Sequence, residues 1–266
     1  MNLPTPTATS RAVVTGASSG IGVALAEELA RLGHSLILVA RREDRLRELA
    51  TLLTARHGIE AEIRGVDLSD GGERGKLCDE LSVRDIAVLC NNAGFATYGE
   101  LANADPARER QQVALNSVAV HDLTLAVLPG MLERDTGAIL ITGSTAGNQP
   151  GPGNATYAAT KAFANTLAES VHAELAGTGV SCTLLAPGPV RTEYAEVAEV
   201  PNLDKLVPGP LWVSAEQAAR EAISGLAAGR RRVVPGAFAK VQTISGQYTP
   251  RALIGPILRT VYRKVK

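Results

Sequence analysis

The feature that most limits what this chain can fold into is an unbroken alternation of short apolar runs with helical runs through residue 186. Ala12-Val13-Val14-Thr15, Leu36-Ile37-Leu38-Val39-Ala40 and residues 86–90, 137–142 and 180–185 are mostly apolar or β-branched, residues 61–66 read as a further, more polar strand, and all but the run at 180–185 are followed by a stretch of helical length. Runs this apolar suit strands buried on both faces, as in a parallel sheet with helices above and below. No linker, repeat or low-complexity segment interrupts the pattern in the 266 residues. The expectation is one α/β domain built on a doubly wound parallel sheet of about seven strands, the last at residues 232–234. Residues 1–10 read as an N-terminal tail and 237–266 as a C-terminal extension. Such sheets bind ligands beyond the carboxyl ends of their strands, at the point where strand order reverses.

The first unit ends in Gly16-Ala17-Ser18-Ser19-Gly20-Ile21-Gly22 and continues into a helical run over residues 23–32. A helix N-terminus offers unpaired N–H groups, and glycines let a backbone approach a phosphate closely. The spacing Gly-x-x-x-Gly-x-Gly departs from the dinucleotide fingerprint, and no Gly-Lys-Ser/Thr follows, so a Walker loop is excluded. Two readings stay open, a phosphate cradle and a merely tight turn. The second run ends in Arg41-Arg42, where a dinucleotide site reads the adenosine ribose. A carboxylate there would accept from a free 2′-hydroxyl, whereas an arginine pairs with a 2′-phosphate. This favours NADP over NAD; the alternative is a pair of solvated surface arginines. Asp67, closing the third run, is placed to accept from an adenine amino group while Leu68 packs the ring edge.

Ser144 follows the fifth run, and Tyr157 and Lys161 stand in Tyr-Ala-Ala-Thr-Lys within a helix expected over residues 155–175. Four residues apart, the two side chains share one helix face. A free tyrosine titrates near ~10, and a nearby ammonium favours its ionised form. Tyr157 is therefore a candidate general acid or base, and the Ser144 hydroxyl can polarise a carbonyl. The same spacing also arises by chance in many helices. Asn116 lies within a long helix expected over residues 106–133 and is either a satisfied core amide or part of a polar relay. Asn91-Asn92-Ala93-Gly94 follows the fourth run, where asparagines satisfy turn backbone groups whether or not they also meet a cofactor.

Composition removes several function classes. Lys+Arg and Asp+Glu balance at 27 each, so no net field draws the chain to nucleic acid. Aromatic residues make up 3%, too few for a base-stacking platform. Cys78, Cys90 and Cys182 are widely spaced and odd in number, which reads as reduced thiols in a cytoplasmic protein rather than a disulfide or metal site. Residues 1–10 lack the apolar stretch of a signal peptide and no stretch of 18 uninterrupted apolar residues occurs, so no membrane span is expected.

These motifs resemble the short-chain dehydrogenase/reductase family, in its single-domain branch, over about residues 11–235. Thr15-Gly16-Ala17-Ser18-Ser19-Gly20-Ile21-Gly22 is similar to the family's cofactor turn, Asn91-Asn92-Ala93-Gly94 to its sheet-stabilising motif, and Asn116, Ser144, Tyr157 and Lys161 to its catalytic tetrad. Pro187-Gly188-Pro189-Val190-Arg191-Thr192 resembles the segment that holds the nicotinamide carboxamide, with Val190 and Thr192 as contacts. The resemblance implies a Rossmann-type fold, NADP(H) as cofactor with NAD as the alternative, and pairing into a homodimer or homotetramer through the helices over residues 106–133 and 155–175. It further implies that Tyr157 gives a proton to a carbonyl oxygen, Ser144 hydrogen-bonds that oxygen, Lys161 binds the nicotinamide ribose and Asn116 holds a relay water. Many NADP-using members carry a basic residue in the glycine turn. Here Ser18 and Ser19 occupy those places, so phosphate selection would rest on Arg41 and Arg42. Ala40-Arg41-Arg42-Glu43 and Val234-Pro235-Gly236 are most similar to bacterial ketoacyl- and ketosteroid-type reductases. The same tetrad also serves alcohol oxidation, and a non-catalytic dinucleotide sensor is a further alternative.

The substrate side falls on residues 193–213, where Tyr194, Leu203, Leu206, Leu211 and Trp212 are among the apolar positions. An apolar ketone or acyl-type substrate suits such a lining, as does simple packing of the loop on the body. Ser214-Ala215-Glu216-Gln217 has capping-box spacing at the start of a helix to about residue 228. Ile254, Ile257, Leu258, Val261 and Tyr262 form a helical stripe among basic residues. That stripe packs on the body or on a partner subunit, or lies on a membrane surface.

Overall fold

The computed structural model describes residues 3–191, 212–236 and 239. A seven-stranded, wholly parallel sheet runs through the molecule. Its strands are β1 (Arg11–Thr15), β2 (Leu36–Ala40), β3 (Ala61–Gly65), β4 (Ile86–Asn91), β5 (Gly137–Thr142), β6 (Val180–Leu185) and β9 (Arg232–Val233), in the order β3-β2-β1-β4-β5-β6-β9. A two-stranded parallel pair, β7 (Val190–Arg191) and β8 (Val213–Ser214), stands apart from it. The helices are α1 (Gly20–Arg31), α2 (Glu43–His57), α3 (Gly71–Ser82), α4 (Pro106–Val113), α5 (Ala119–Glu133), α6 (Ala155–Glu174) and α7 (Ala215–Ala227).

The inner strands are largely apolar because successive side chains point to opposite faces and both faces are covered, whereas the edge strand β3 carries Glu62 and Arg64 and is only partly buried. Val14, Leu36 and Leu38 pack with Leu25 and Leu29 of α1 and Ile223 and Leu226 of α7. Val13, Ile37 and Leu89 pack on the other side with Leu123, Val127 and Met131 of α5 and Ala164 and Ala168 of α6. Strand order reverses between β1 and β4, which pair side by side with Val13 opposite Leu89. A crevice therefore opens where the turn after β1 diverges from the turn after β4.

Three boundaries differ from the sequence-based expectation, each for a local reason. Helix α1 begins at Gly20 rather than residue 23, because the glycine turn is itself the first helical turn. The charged run after Arg42 reads as a helix over residues 43–54, but α2 continues to His57, until Gly58 takes a left-handed φ of 69° and its N–H returns to the Thr54 carbonyl at 2.9 Å. The helix over residues 106–133 carries a π segment, Ala114–Val118, with Asn116 at its centre. By length and composition that helix is apolar enough to cross a membrane. In the fold it packs on the sheet through Leu123, Val127 and Met131. The Ser214 cap is half of the expected box: its Oγ accepts from the Gln217 N–H at 3.1 Å, but the Gln217 side chain reaches Glu221 at 2.9 Å.

The pair β7–β8 aligns Val190 with Val213 and closes the two ends of the intervening segment side by side. Thr192, most of the substrate stretch over residues 193–213, and the stripe from Ile254 to Tyr262 lie outside the described residues.

Candidate active site

At the end of β1, Thr15 turns the chain and ties it to β4. Its Oγ1 accepts from the N–H groups of Asn92 at 2.9 Å and Ala93 at 3.0 Å and donates to the Cys90 carbonyl at 3.3 Å. Asn92 returns a bond from Nδ2 to the Thr15 carbonyl at 3.0 Å. Asn91, by contrast, points into the core, where Nδ2 donates to Thr124 Oγ1 and the Val120 carbonyl. Gly16 has φ 68°, and a Cβ on Gly22 would stand 2.1 Å from the Gly16 carbonyl oxygen, so α1 can seat on the turn only without a side chain there. This turn is the floor of a cleft of about 500 Å³ that continues to Tyr157 and Trp212.

One end of the cleft is built for charge. Arg42 folds back on the glycine turn, giving hydrogen bonds to the Ser18 carbonyl at 3.1 Å and to Ser18 Oγ at 3.2 Å. Arg41 is exposed and lines the same end. Asp67 lines it too, but its Oδ1 is engaged by the Ser69 N–H at 2.9 Å and Ser69 Oγ at 2.6 Å. Leu68 is buried beneath. Gly16, Ser18, Ser19, Gly20, Ile21, Ala93 and Gly94 complete the floor.

The other end is organised by one stripe on α6. Tyr157, Lys161 and Asn165 stand four residues apart and share a face. Lys161 is 5% exposed, and its Nζ donates to the carbonyl of Thr142, the last residue of β5, at 2.8 Å. Burial pushes this ammonium down to about 8. Its Nζ lies 5.9 Å from the Tyr157 ring centroid. Asn165 grips the next residues of the strand end like a neighbouring strand: Oδ1 accepts from the Ser144 N–H at 3.2 Å and Nδ2 donates to the Ser144 carbonyl at 2.9 Å. Two glycines permit this approach, since a Cβ on Gly143 would stand 1.9 Å from Asn165 Oδ1 and one on Gly147 would stand 2.5 Å from the Lys161 carbonyl carbon. Ser144 Oγ accepts from the Ala146 N–H at 3.1 Å, which leaves its own proton free to donate into the cleft.

Asn116 stands behind this wall rather than in it. Its side chain is fully buried; Oδ1 accepts from the Phe95 N–H at 3.1 Å, and Nδ2 donates to the Phe95 carbonyl at 2.8 Å and Thr160 Oγ1 at 3.1 Å. Its Oδ1 and Lys161 Nζ come within 3.0 and 3.4 Å of the point a Cβ on Gly94 would occupy. Gly94 is thus the window between the two. Pro187, Gly188 and Val190 line the cleft opposite Ser144, with the Pro187 carbonyl accepting from the Thr145 N–H at 3.1 Å.

Sequence reasoning passed over Asn165 and Asn154. The first was signalled by its place four residues after Lys161; the second is buried, lines the cleft and was marked only by its position before α6.

The sequence profile described as short chain dehydrogenase matches residues 10–200. The chain belongs to that family. Among its curated relatives, the very-long-chain 3-oxoacyl-CoA reductase of Anas platyrhynchos is 35% identical over 205 residues, which are 74% of this chain and 64% of that protein. The chain therefore spans just under two thirds of that relative. Sulfoacetaldehyde reductase 2 of Chromohalobacter salexigens is 38% identical over 189 residues, 70% of this chain and 74% of that one. A solved short-chain dehydrogenase from Sphingobium yanoikuyae in complex with NADPH superposes with a TM-score of 0.80 at 30% identity, covering 94% of this chain and 95% of that one.

In this short chain dehydrogenase the Asn165 grip is expected to govern turnover rather than cofactor affinity. Asn165→Ala should lower kcat roughly tenfold, the size of losing hydrogen bonds to a positioned group. NADPH affinity, measured by fluorescence titration, should change less than about twofold, since Asn165 does not itself line the cleft.

Proposed function

We propose that the protein is an NADP(H)-dependent reductase of ketones or aldehydes, acting on an apolar or acyl-type substrate. One observation carries the reading: Ser144, Tyr157 and Lys161 share a single cleft with the glycine turn and with Arg41 and Arg42. The relatives named as reductases and the neighbour bound to NADPH support it.

The residues present fit the dinucleotide. The turn from Gly16 to Gly22 has the close backbone packing and helix N-terminus that a pyrophosphate needs. Arg42 is already held on Ser18, so the 2′-phosphate falls to exposed Arg41 with Arg42 behind it. Asp67 keeps one carboxylate oxygen for the adenine edge, the other being used on Ser69. Pro187, Gly188 and Val190 border the nicotinamide end, and Thr192 is assigned there with them from the motif. The chemistry supplied by a bound nicotinamide dinucleotide is hydride transfer to the carbonyl carbon.

The chain's own groups handle the proton. Ser144 donates its free O–H to the carbonyl oxygen and stabilises the negative charge that develops there. Tyr157 gives its phenolic proton to the same oxygen, and the Lys161 cation stabilises the phenolate left behind. Lys161 keeps two further N–H donors for the ribose after its bond to Thr142. Asn116 takes the role of a relay through the Gly94 window: its Nδ2 protons are both used, so a water would be held by the second lone pair of Oδ1 or by a backbone carbonyl in the widened π turn.

A second copy of this chain is assigned to the apolar strip formed by Val113, Val118 and Leu125 of the α4–α5 run with Phe163 of α6, all exposed. A monomeric mass in sedimentation at micromolar concentration would remove that assignment. The buried thiols of Cys90 and Cys182, pushed up to about 12 by burial, are compatible with a cytoplasmic location.

Tyr157→Phe should lower kcat for ketone reduction by about 100-fold or more while leaving NADPH affinity intact; near-full turnover would remove the mechanism. Because burial lowers the Lys161 pKa, its cation is present below about 8 and is lost as pH rises through that value. Steady-state kcat/KM for reduction should decline over that interval, and Lys161→Met should be slow without that decline. Arg41→Ala should weaken kcat/KM for NADPH roughly tenfold to 100-fold and leave NADH nearly unaffected, as expected for loss of a charge-assisted phosphate contact.

A further inference from the structure

Helix-capping side chains elsewhere in the fold do the ordinary thing. Asp70 accepts from the Gly72 and Glu73 N–H groups, Asp105 from Ala107 and Ser214 from Gln217. Asn154, at the N-cap of α6, is among the best residue types for that task and makes no side-chain cap bond. Ser19, at the N-cap of α1, also withholds its side chain. Both line the cleft, Ser19 at the charged end and Asn154 beside Tyr157, which follows it by three residues on the same helix.

What turns Asn154 away from its helix is a hydrogen bond from Nδ2 to the Thr97 carbonyl. Thr97 belongs to the loop after β4, which is fixed on both sides: Thr97 Oγ1 donates to Gln112 Oε1 at 3.1 Å, and the Gly99 N–H meets the Gly153 carbonyl at 2.8 Å. A carbonyl only accepts, so the amide group facing Thr97 must be the NH2, and the orientation of the amide is settled by its partner. Oδ1 is then the atom left over. Asn154 is 4% exposed, and among the described residues its Oδ1 has no hydrogen-bond partner. Unlike Asn91 Oδ1, which is sealed in the core without a partner among the described residues, this oxygen borders the cleft and can accept from what fills it.

We propose that Asn154 Oδ1 is a specificity-determining acceptor for a substrate hydroxyl or N–H carried close to the reacting carbonyl. This rests on the reductase reading above and adds to it. The substrate class becomes a ketone or aldehyde with a hydrogen-bond donor one or two carbons from the carbonyl. Donor-bearing ketones gain a bond at Asn154, whereas their deoxy analogues leave the oxygen desolvated and unpaired.

The test compares matched ketones: 2-hydroxyacetophenone with acetophenone, and 3-hydroxypropiophenone with propiophenone. Each is measured as kcat/KM with NADPH and as a dissociation constant from the protein–NADP+ complex by calorimetry. In the unaltered protein at least one hydroxyketone should be preferred over its partner, and Asn154→Ala should lower that preference about fivefold to tenfold. A merely structural role, through the lost clamp on Thr97, would depress both members of a pair alike and leave their ratio unchanged. An unchanged ratio in both pairs, or no preference in the unaltered protein, overturns the proposal. Discrimination in binding without turnover of any ketone would sustain the Asn154 acceptor and sink the reductase reading.

Discussion

The hydrogen bond from Lys161 Nζ to the Thr142 carbonyl holds the site together. It joins a helix to the end of a strand from inside the protein, where an ammonium is expensive to bury and its pKa falls accordingly. Asn165 repeats the connection one turn later on the Ser144 main chain, so the strand end is held at two successive places on one helix face. The distance between the serine hydroxyl and the tyrosine ring is thereby set by α6 against β5, two rigid elements, rather than by loop conformation. Gly143 and Gly147 are the concession that lets backbone and side chains come this near.

The opposite half of the cleft obeys a different logic. There the cleft floor is largely backbone, and the side chains hold it in shape. Thr15 and Asn92 lock the ends of β1 and β4 together. Arg42 pins the glycine turn through Ser18, so it holds that loop in shape as well as lining the charged end of the cleft. The division leaves Arg41 as the more accessible charge.

The doubly wound parallel sheet was legible because strands alternate with helices without interruption, and the crevice followed from topology. Strand positions agreed closely, since a run such as Ile139-Leu140-Ile141 has little choice but burial. Helix ends were less legible: Gly58 and Gly20 act through backbone dihedrals that composition does not display. At the site, residues marked by motif came together in one cleft, apart from Asn116, which sits one layer behind, Gly22, which seats α1 against Gly16, and Thr192, which lies outside the described residues. Asn165 and Asn154 were illegible for another reason. Their roles depend on partners 21 and 57 residues away, and an asparagine near a helix start reads as a cap until its real partner is seen.

The small ladder of Val190 and Arg191 on Val213 and Ser214 has a consequence of its own. It brings the two ends of the substrate stretch to one point beside the cleft, with Trp212 at the return. A chain that leaves and re-enters a fold at adjacent points can be lengthened at little thermodynamic expense, since doubling a closed loop adds only about 0.6 kcal/mol. The elements that carry Ser144, Tyr157, Lys161 and the glycine turn lie outside this stretch, so its length can change with little effect on how they are held.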